Sequence, residues 1–250
     1  MRSLALLALV AACLPARAAD LHAILATPRH RIETADFRIT GRLVQVAPSG
    51  NRTSDSLSIR AHWFPGVLRV LVEITAPPAA REHILLEMRP DGRNSILIAH
   101  PGDAEPRPLP LDQWSDGPLG PVFSYEDFID PQYFWPDQSF VETTTFGARN
   151  CNVLKSSPGP QDRTRYSQVE SWLDTKIGFP VQVHKSVKGS AREKVFTYLG
   201  LRQEAGVWSA SQIEARIVGR PGSTLLLIER GSPRAHLTLQ DFSPELLTRF

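Results

Sequence analysis

Residues 57–63 read Leu-Ser-Ile-Arg-Ala-His-Trp, a strict alternation of apolar and polar side chains. Successive side chains of a β-strand point to opposite faces of a sheet, so this alternation predicts a strand with one buried face. Pro65-Gly66 then marks a tight turn, and a second alternating run extends from Val67 to Ile74. The two runs predict an antiparallel hairpin, which we expect to be the building unit of the chain.

Short alternating runs separated by turn residues continue towards both ends of the sequence. They indicate about ten or eleven strands between Phe37 and Leu239, a number that closes into a barrel or curls into a half barrel. Helical spacing occurs after Asp20, in the middle of the chain and after Ser243, and Pro28 is expected to interrupt the first helix. The predicted fold class is mainly β, with a few helices that cover the opening of the sheet.

Several predicted strands are apolar on both faces. The clearest are Val67–Ile74, Val195–Leu201 and Thr224–Ile228. A sheet with one face in water needs only one apolar face, so a helix, a second sheet or an apolar ligand must cover the other. The sequence leaves these three alternatives open.

The stretch from Phe123 to Trp135 departs from the alternation. It reads FSYEDFIDPQYFW and contains six aromatic residues and three carboxylates. Ser124 is expected to cap a short helix, with Glu126 and Asp127 in the first turn, where acidic side chains are stabilised. The alternative is acid–base chemistry or cation binding by the same carboxylates, although their spacing is not that of a calcium-binding loop. We predict a helical lid and neither a catalytic nor a metal site.

The first 18 residues have the features of a secretory signal peptide. Arg2 precedes an apolar run from Leu4 to Leu14, and Ala16-Arg17-Ala18 forms an A-x-A cleavage site. Cleavage there would leave residues 19–250 as a single exported domain. The alternative is a lipoprotein box, which would leave a lipidated Cys13 at the N-terminus and tether the domain to a membrane.

Charge and motifs exclude several classes of protein. Loss of Arg2 and Arg17 with the leader brings the 28 basic residues level with the 26 acidic ones, so a nucleic-acid partner has no electrostatic support. No nucleotide-binding glycine loop, G-x-S-x-G elbow, H-E-x-x-H or C-x-x-C motif occurs. The seven histidines are dispersed, and Cys151 alone remains after cleavage. We expect no disulfide, no metal, no cofactor and no catalytic residue.

Several marks, in their order along the chain, resemble the outer-membrane lipoprotein-sorting-protein-like family, whose members are relatives of the periplasmic carrier LolA. They are Gly41-Arg42-Leu43, Phe123–Phe128, Trp135, Cys151–Leu154, Val169–Asp174, Pro180 and Lys194. These marks span most of the chain after the leader.

The resemblance implies a strongly curved, incompletely closed antiparallel β-barrel with helices over its opening. It also implies a monomeric, non-enzymatic periplasmic carrier that holds acyl chains of lipoproteins or other lipids in an apolar hollow and meets envelope transport proteins. Two alternatives remain, an envelope sensor that binds a protein partner with the same curved sheet and a hydrolase that uses Glu126 and Asp127. The aromatic residues expected at the lid and lipid site are Phe123, Tyr125, Phe128, Trp135 and Trp172.

Overall fold

One large antiparallel sheet dominates residues 20–250, the part of the chain that the computed structural model describes. The predicted leader and Cys13 lie outside these residues. One α-helix, α1, spans Leu21–Glu33. The strands are β1 (Asp36–Val46), β2 (Arg52–Phe64), β3 (Val67–Ala76), β4 (Glu82–Met88), β5 (Ser95–Ala99), β6 (Arg107–Pro108), β7 (Asp137–Phe146), β8 (Arg149–Ser157), β9 (Tyr166–Asp174), β10 (Pro180–Val187), β11 (Glu193–Leu199), β12 (Arg202–Glu204), β13 (Val207–Ser209), β14 (Gln212–Ile217) and β15 (Ser223–Ser232). Short 3-10 helices span Pro78–Ala80, Leu111–Ser115, Tyr125–Phe128, Pro131–Phe134, Leu239–Phe242 and Pro244–Leu246.

Thirteen strands form the sheet, in the order β6-β5-β4-β3-β2-β1-β15-β14-β11-β10-β9-β8-β7. Most neighbours are consecutive along the chain, and β1 pairs with β15 to join the two halves. The strands β12 and β13 form a separate hairpin. Because β6 and β7 are the two edges and do not pair with each other, the barrel remains open. The structure confirms the predicted fold class and contains more strands than the alternation indicated.

The edge strand β7 is one that the alternation did not predict. Its sequence, DQSFVETTTF, has few apolar residues, and most of its side chains are exposed or half-buried. An edge strand with little packed against it needs no buried face, so the usual signal is missing. The alternation from Ala235 to Leu239 predicts a strand, and this prediction is wrong. The segment lies outside the sheet, beyond the end of β15.

Helix α1 begins at its predicted cap, since the Asp20 carboxylate accepts a hydrogen bond from the N–H of His22 at 3.0 Å. The helix continues through Pro28, so the predicted interruption is wrong. Proline removes one backbone hydrogen bond, but Pro28 is buried together with Leu25 and Ile32, and this burial offsets the loss. With 13 residues, α1 is the longest helix within residues 20–250, and no helix there is long and apolar enough to cross a membrane.

The concave face of the sheet carries the main core, and a smaller core lies on the convex face. The C-terminal segment after β15 crosses the convex face of β3, β4 and β5 and covers it. The second apolar face of β3 is therefore covered by the chain itself and needs no ligand. On β11, in contrast, Leu199 is 40% exposed. The buried residues of the convex core are Leu71, Leu85, Ala99, Leu237, Phe242 and Leu247.

Candidate functional site

Residues 123–135, hereafter the plug, enter the hollow of the curved sheet. The 3-10 helices Tyr125–Phe128 and Pro131–Phe134 form the plug, and neither is part of the sheet. Phe123, Tyr133 and Trp135 are each at most 2% exposed and lie in one cluster with the concave face of the sheet. The plug therefore fills the hollow with its own aromatic side chains.

Four of the five aromatic residues predicted for the lid lie together in the plug. Phe123 and Phe128 pack against each other, with ring centroids 5.1 Å apart. Tyr125 is half-buried, and its hydroxyl donates to the carboxylate of Glu82 at 2.9 Å. Trp135 is 1% exposed and contributes to the core. Their contact with a lipid stays a prediction, but the structure places all four at the junction of plug and sheet.

The structure does not bring Trp172 to the other four. Its ring packs against His184 on the convex face of β9, at 4.5 Å between centroids, while the neighbouring Leu173 joins the concave core. Tyr166, in contrast, lies on the concave face. Strict alternation places Tyr166 on the same face as Trp172, but a register shift opposite Ser186 and Val187 turns it to the concave face.

Asp127 connects the plug to three strands of the sheet. Its Oδ1 accepts hydrogen bonds from Tyr166 Oη at 2.6 Å and from Lys185 Nζ at 3.0 Å, and its Oδ2 accepts one from Lys194 Nζ at 3.0 Å. Oδ2 also accepts from the backbone N–H and the hydroxyl of Ser124, at 2.8 and 2.7 Å. Asp127 thus belongs to the capping box of the 3-10 helix Tyr125–Phe128. With a fully buried side chain, it also forms ion pairs with β10 and β11.

Burial and neighbouring charges shift the pKa values of Asp127, Lys185 and Tyr166. Burial alone would raise the pKa of Asp127, but the ammonium groups of Lys194 and Lys185 outweigh it and hold that pKa well below its usual range. Burial would lower the pKa of Lys185, and the carboxylate of Asp127 raises it above its ordinary value instead. Burial and the charge of Asp127 raise the pKa of Tyr166 far above its ordinary value, so its hydroxyl remains a donor. Two cations and one anion are therefore enclosed between plug and sheet.

Glu126 is a second buried carboxylate, with 4% of the residue exposed. Its Oε2 accepts hydrogen bonds from Thr164 Oγ1 at 2.9 Å and from the backbone N–H of Arg165 at 3.1 Å. Burial, together with the nearby charge of Asp127, raises the pKa of Glu126 to about 7. No cationic side chain within the described residues lies at ion-pair distance from it. Glu126 therefore changes its protonation near neutral pH, whereas Asp127 stays ionised.

The two lysines are the part of the site that the sequence-based interpretation missed. Lys194 is predicted only as one of the residues that carry the family resemblance, and no role is predicted for Lys185. Both occupy the apolar phase of their strands: Lys185 lies between Val183 and Val187, and Lys194 two residues before Phe196. A lysine in the buried phase needs an enclosed counter-charge, so this position is the signal that points to a buried carboxylate.

Helix α1 holds the second half of the plug. Arg29 Nε donates to the backbone carbonyl of Tyr133 at 2.7 Å, and its guanidinium lies 5.9 Å from the centroid of the Phe134 ring. Arg31 forms an ion pair with Asp130 at 3.5 Å. The plug therefore contacts the sheet on one side and α1 on the other.

Two cavities lie outside the hollow. One, of about 280 Å³, is lined by Arg149, Asp174 and Lys176 at the turns that flank β8 and β9. The other, of about 220 Å³, is a proline-rich groove beside the plug that includes Phe134 and Asp162. Within residues 20–250, no group of three or more histidine, cysteine, aspartate or glutamate side chains is arranged to hold a metal ion.

Comparison with protein families gives one match. A family model described as "Uncharacterized protein"-like covers residues 67–249, which is more than half of the chain. No curated protein matches the chain significantly.

Three solved structures share the architecture over 91% of this chain. A domain from Vibrio parahaemolyticus assigned to outer-membrane lipoprotein sorting is 18% identical, with a TM-score of 0.81 over 97% of its own length. A DUF1329 family protein from Desulfovibrio piger is 12% identical, with a TM-score of 0.78 over 98% of its length. A LolA superfamily protein from Nitrosomonas europaea is 18% identical, with a TM-score of 0.69 over 99% of its length. The fold of the chain is that of the lipoprotein-sorting and LolA-superfamily structures, as the family resemblance implied. The chain belongs to the family of the matching model.

Proposed function

We propose that this protein is a non-enzymatic carrier that binds acyl chains of lipoproteins or other lipids in the hollow of its sheet. The observation that carries the proposal is an apolar concave face covered by a plug that is not a strand of the sheet. With the predicted leader, the protein would act in the periplasm, as a monomer that exchanges its cargo with envelope transport proteins. The names of the similar structures support lipoprotein sorting as the setting.

The way in which the plug is attached allows it to leave the hollow. Its backbone contacts with neighbouring strands run through side chains: the amide of Gln138 donates to the carbonyls of Gln132 and Trp135, at 2.7 and 3.0 Å. Movement of the plug breaks no ladder of strand hydrogen bonds, so the sheet can keep its shape. An entering acyl chain would replace the aromatic contacts of the plug, and each buried methylene contributes about 0.8 kcal/mol.

The proposal predicts lipid in the protein as isolated. Gently purified protein should carry lipid that native mass spectrometry detects, and delipidated protein should take up a fluorescent long-chain acyl probe. Phe128→Ala loosens a half-buried contact of the plug and should tighten probe binding, because less burial is lost when the plug leaves.

Trp172→Ala is the matched control, since it removes an aromatic ring on the convex face and should leave probe binding unchanged. The proposal fails if the purified protein is free of lipid and takes up no acyl probe. It is also weakened if Trp172→Ala alters probe binding as much as Phe128→Ala does.

A second candidate is an envelope interaction module, and the edge strand β7 favours it. Within the described residues β7 pairs only with β8, it contains no lysine, arginine or proline, and Val141 is 50% exposed. Edges of this kind accept an added strand from another chain. A stoichiometric protein partner captured from envelope extract, without lipid, would favour this candidate, and Val141→Lys should abolish that capture.

A further inference from the structure

Two lysine side chains face each other on the inner wall of the hollow. Lys185 of β10 and Lys194 of β11 are directly opposite in the strand register. Their side chains are 2% and 4% exposed. One carboxylate bridges them, because the two oxygens of Asp127 each lie 3.0 Å from one ammonium group. The lysines belong to the sheet, whereas the aspartate belongs to the plug.

Asp127 is the sole carboxylate in residues 20–250 that forms an ion pair with either lysine. Lys194 Nζ also donates to Ser124 Oγ of the plug at 2.8 Å. Lys185 Nζ lies against two aromatic faces, 4.7 Å from the centroid of the Phe196 ring and 5.2 Å from that of Tyr166. These faces attract a cation but do not neutralise it. If the plug leaves the hollow, two buried ammonium groups lose their counter-charge, which is strongly unfavourable in an apolar site.

We propose that Asp127 occupies the place of a ligand head group, and that Lys185 and Lys194 bind the carboxylate or phosphate of an anionic amphiphile when the plug is displaced. This inference rests on the proposed function and names its ligand class. Tyr166 completes the site, because its hydroxyl donates to Asp127 Oδ1 at 2.6 Å and remains on β9 after the plug has moved. The sheet alone then offers two cationic donors and one hydroxyl donor to an anionic oxygen pair.

Selectivity follows from the charge balance of the exchange. An amphiphile with an anionic head group replaces the carboxylate that leaves, so both lysines stay paired. A neutral lipid of the same chain length gains the same apolar burial but leaves both ammonium groups without a counter-charge. Loss of one buried charge-assisted contact corresponds to about tenfold or more in affinity, so anionic ligands should bind at least that much more tightly than neutral ones.

The experiment compares a fluorescent long-chain fatty acid with its methyl ester on the full protein. Wild-type protein should bind the acid about tenfold more tightly than the ester. The triple variant Lys185→Met, Lys194→Met, Asp127→Leu removes all three charges together. Because it leaves no buried charge unpaired, it is expected to fold. It should bind both probes with nearly equal affinity. Lys155→Met removes a lysine of β8 that forms no ion pair within residues 20–250, and it should retain the wild-type preference.

The outcomes separate the two proposals. Equal binding of acid and ester by the wild type overturns the head-group site but leaves the acyl carrier intact, whereas binding of neither probe overturns both. Inorganic phosphate serves as the anion without a chain. If phosphate alone raises the melting temperature as much as the fatty acid does, the site takes a free anion and the amphiphile proposal is wrong.

Discussion

Replacing Asp127 by asparagine tests whether the buried ion cluster fixes the plug. The change keeps the shape of the side chain but removes the charge that two lysines share at 3.0 Å. An amide has one acceptor oxygen, whereas the carboxylate accepts from Tyr166, Ser124 and both lysines. Removing one member of a buried ion pair costs about 3–5 kcal/mol, because it leaves an uncompensated charge. We expect Asp127→Asn to lose a free energy of unfolding of this size at pH 7.

Urea unfolding measured by tryptophan fluorescence gives the free energy directly, provided that the slope with denaturant is unchanged. Asp137→Asn is the matched control, because Asp137 is exposed on β7 and takes part in no ion pair of the described residues. The triple variant without the three charges should recover most of the stability that Asp127→Asn loses. If Asp127→Asn costs under about 1 kcal/mol, or no more than Asp137→Asn, the ion cluster does not hold the plug.

The pH dependence of the same variant provides an independent check. In the folded protein the pKa of Asp127 lies well below its ordinary value of 3.8, so the ionised form is favoured by folding. Its contribution to stability is present above the unfolded pKa and is lost as the pH falls from about 5 through 3.8 and below. Wild-type protein should therefore lose its advantage over Asp127→Asn across this acidic range.

Two further predictions concern other parts of the structure. The pKa of Glu126 rises from 4.5 to about 7 on folding, so the stability that its protonated form contributes is present below pH 4.5 and is lost as the pH rises through 7. Glu126→Gln should remove this dependence and stabilise the protein by about 3 kcal/mol above pH 8, and unfolding curves with equal pH slopes for both proteins would contradict it. Phe242→Ala removes a buried ring from the segment that covers the convex face of β3 to β5. It should lower the free energy of unfolding in urea by about 3–5 kcal/mol. Leu239→Ala, at a residue that is 58% exposed, should cost far less, and equal losses would refute the role of Phe242.

The sheet was predictable because most of its strands bury one face against the core. Residues 57–63 alternate in the sequence, and burial alternates in the structure from Leu57 to His62. The alternation gave no correct prediction where burial does not follow period two. The strand β7 lies at an edge and has no fully buried face. At Tyr166, the register shift between β9 and β10 turns the side chain to the concave side. In both places the deciding contact is made with a distant strand, which a local pattern does not contain.

The candidate site was predictable only in part, for a similar reason. The position of Ser124 before Glu126 and Asp127 indicates a capped turn, and the structure contains that turn. The second role of Asp127 depends on lysines that follow 58 and 67 residues later in the chain. Their position in the apolar phase of two strands marks them as buried, but only the fold shows that they meet the same carboxylate.

The charge cluster changes what the proposed carrier would respond to. A plug held by aromatic burial alone would give way to any sufficiently long apolar chain, because burial of apolar surface has no directional preference. The pairing of Asp127 with Lys185 and Lys194 adds a free energy that is recovered only if the incoming molecule supplies an anion at the same place. The apolar face would then determine how much chain is bound, and the lysine pair would determine which head groups can release the plug.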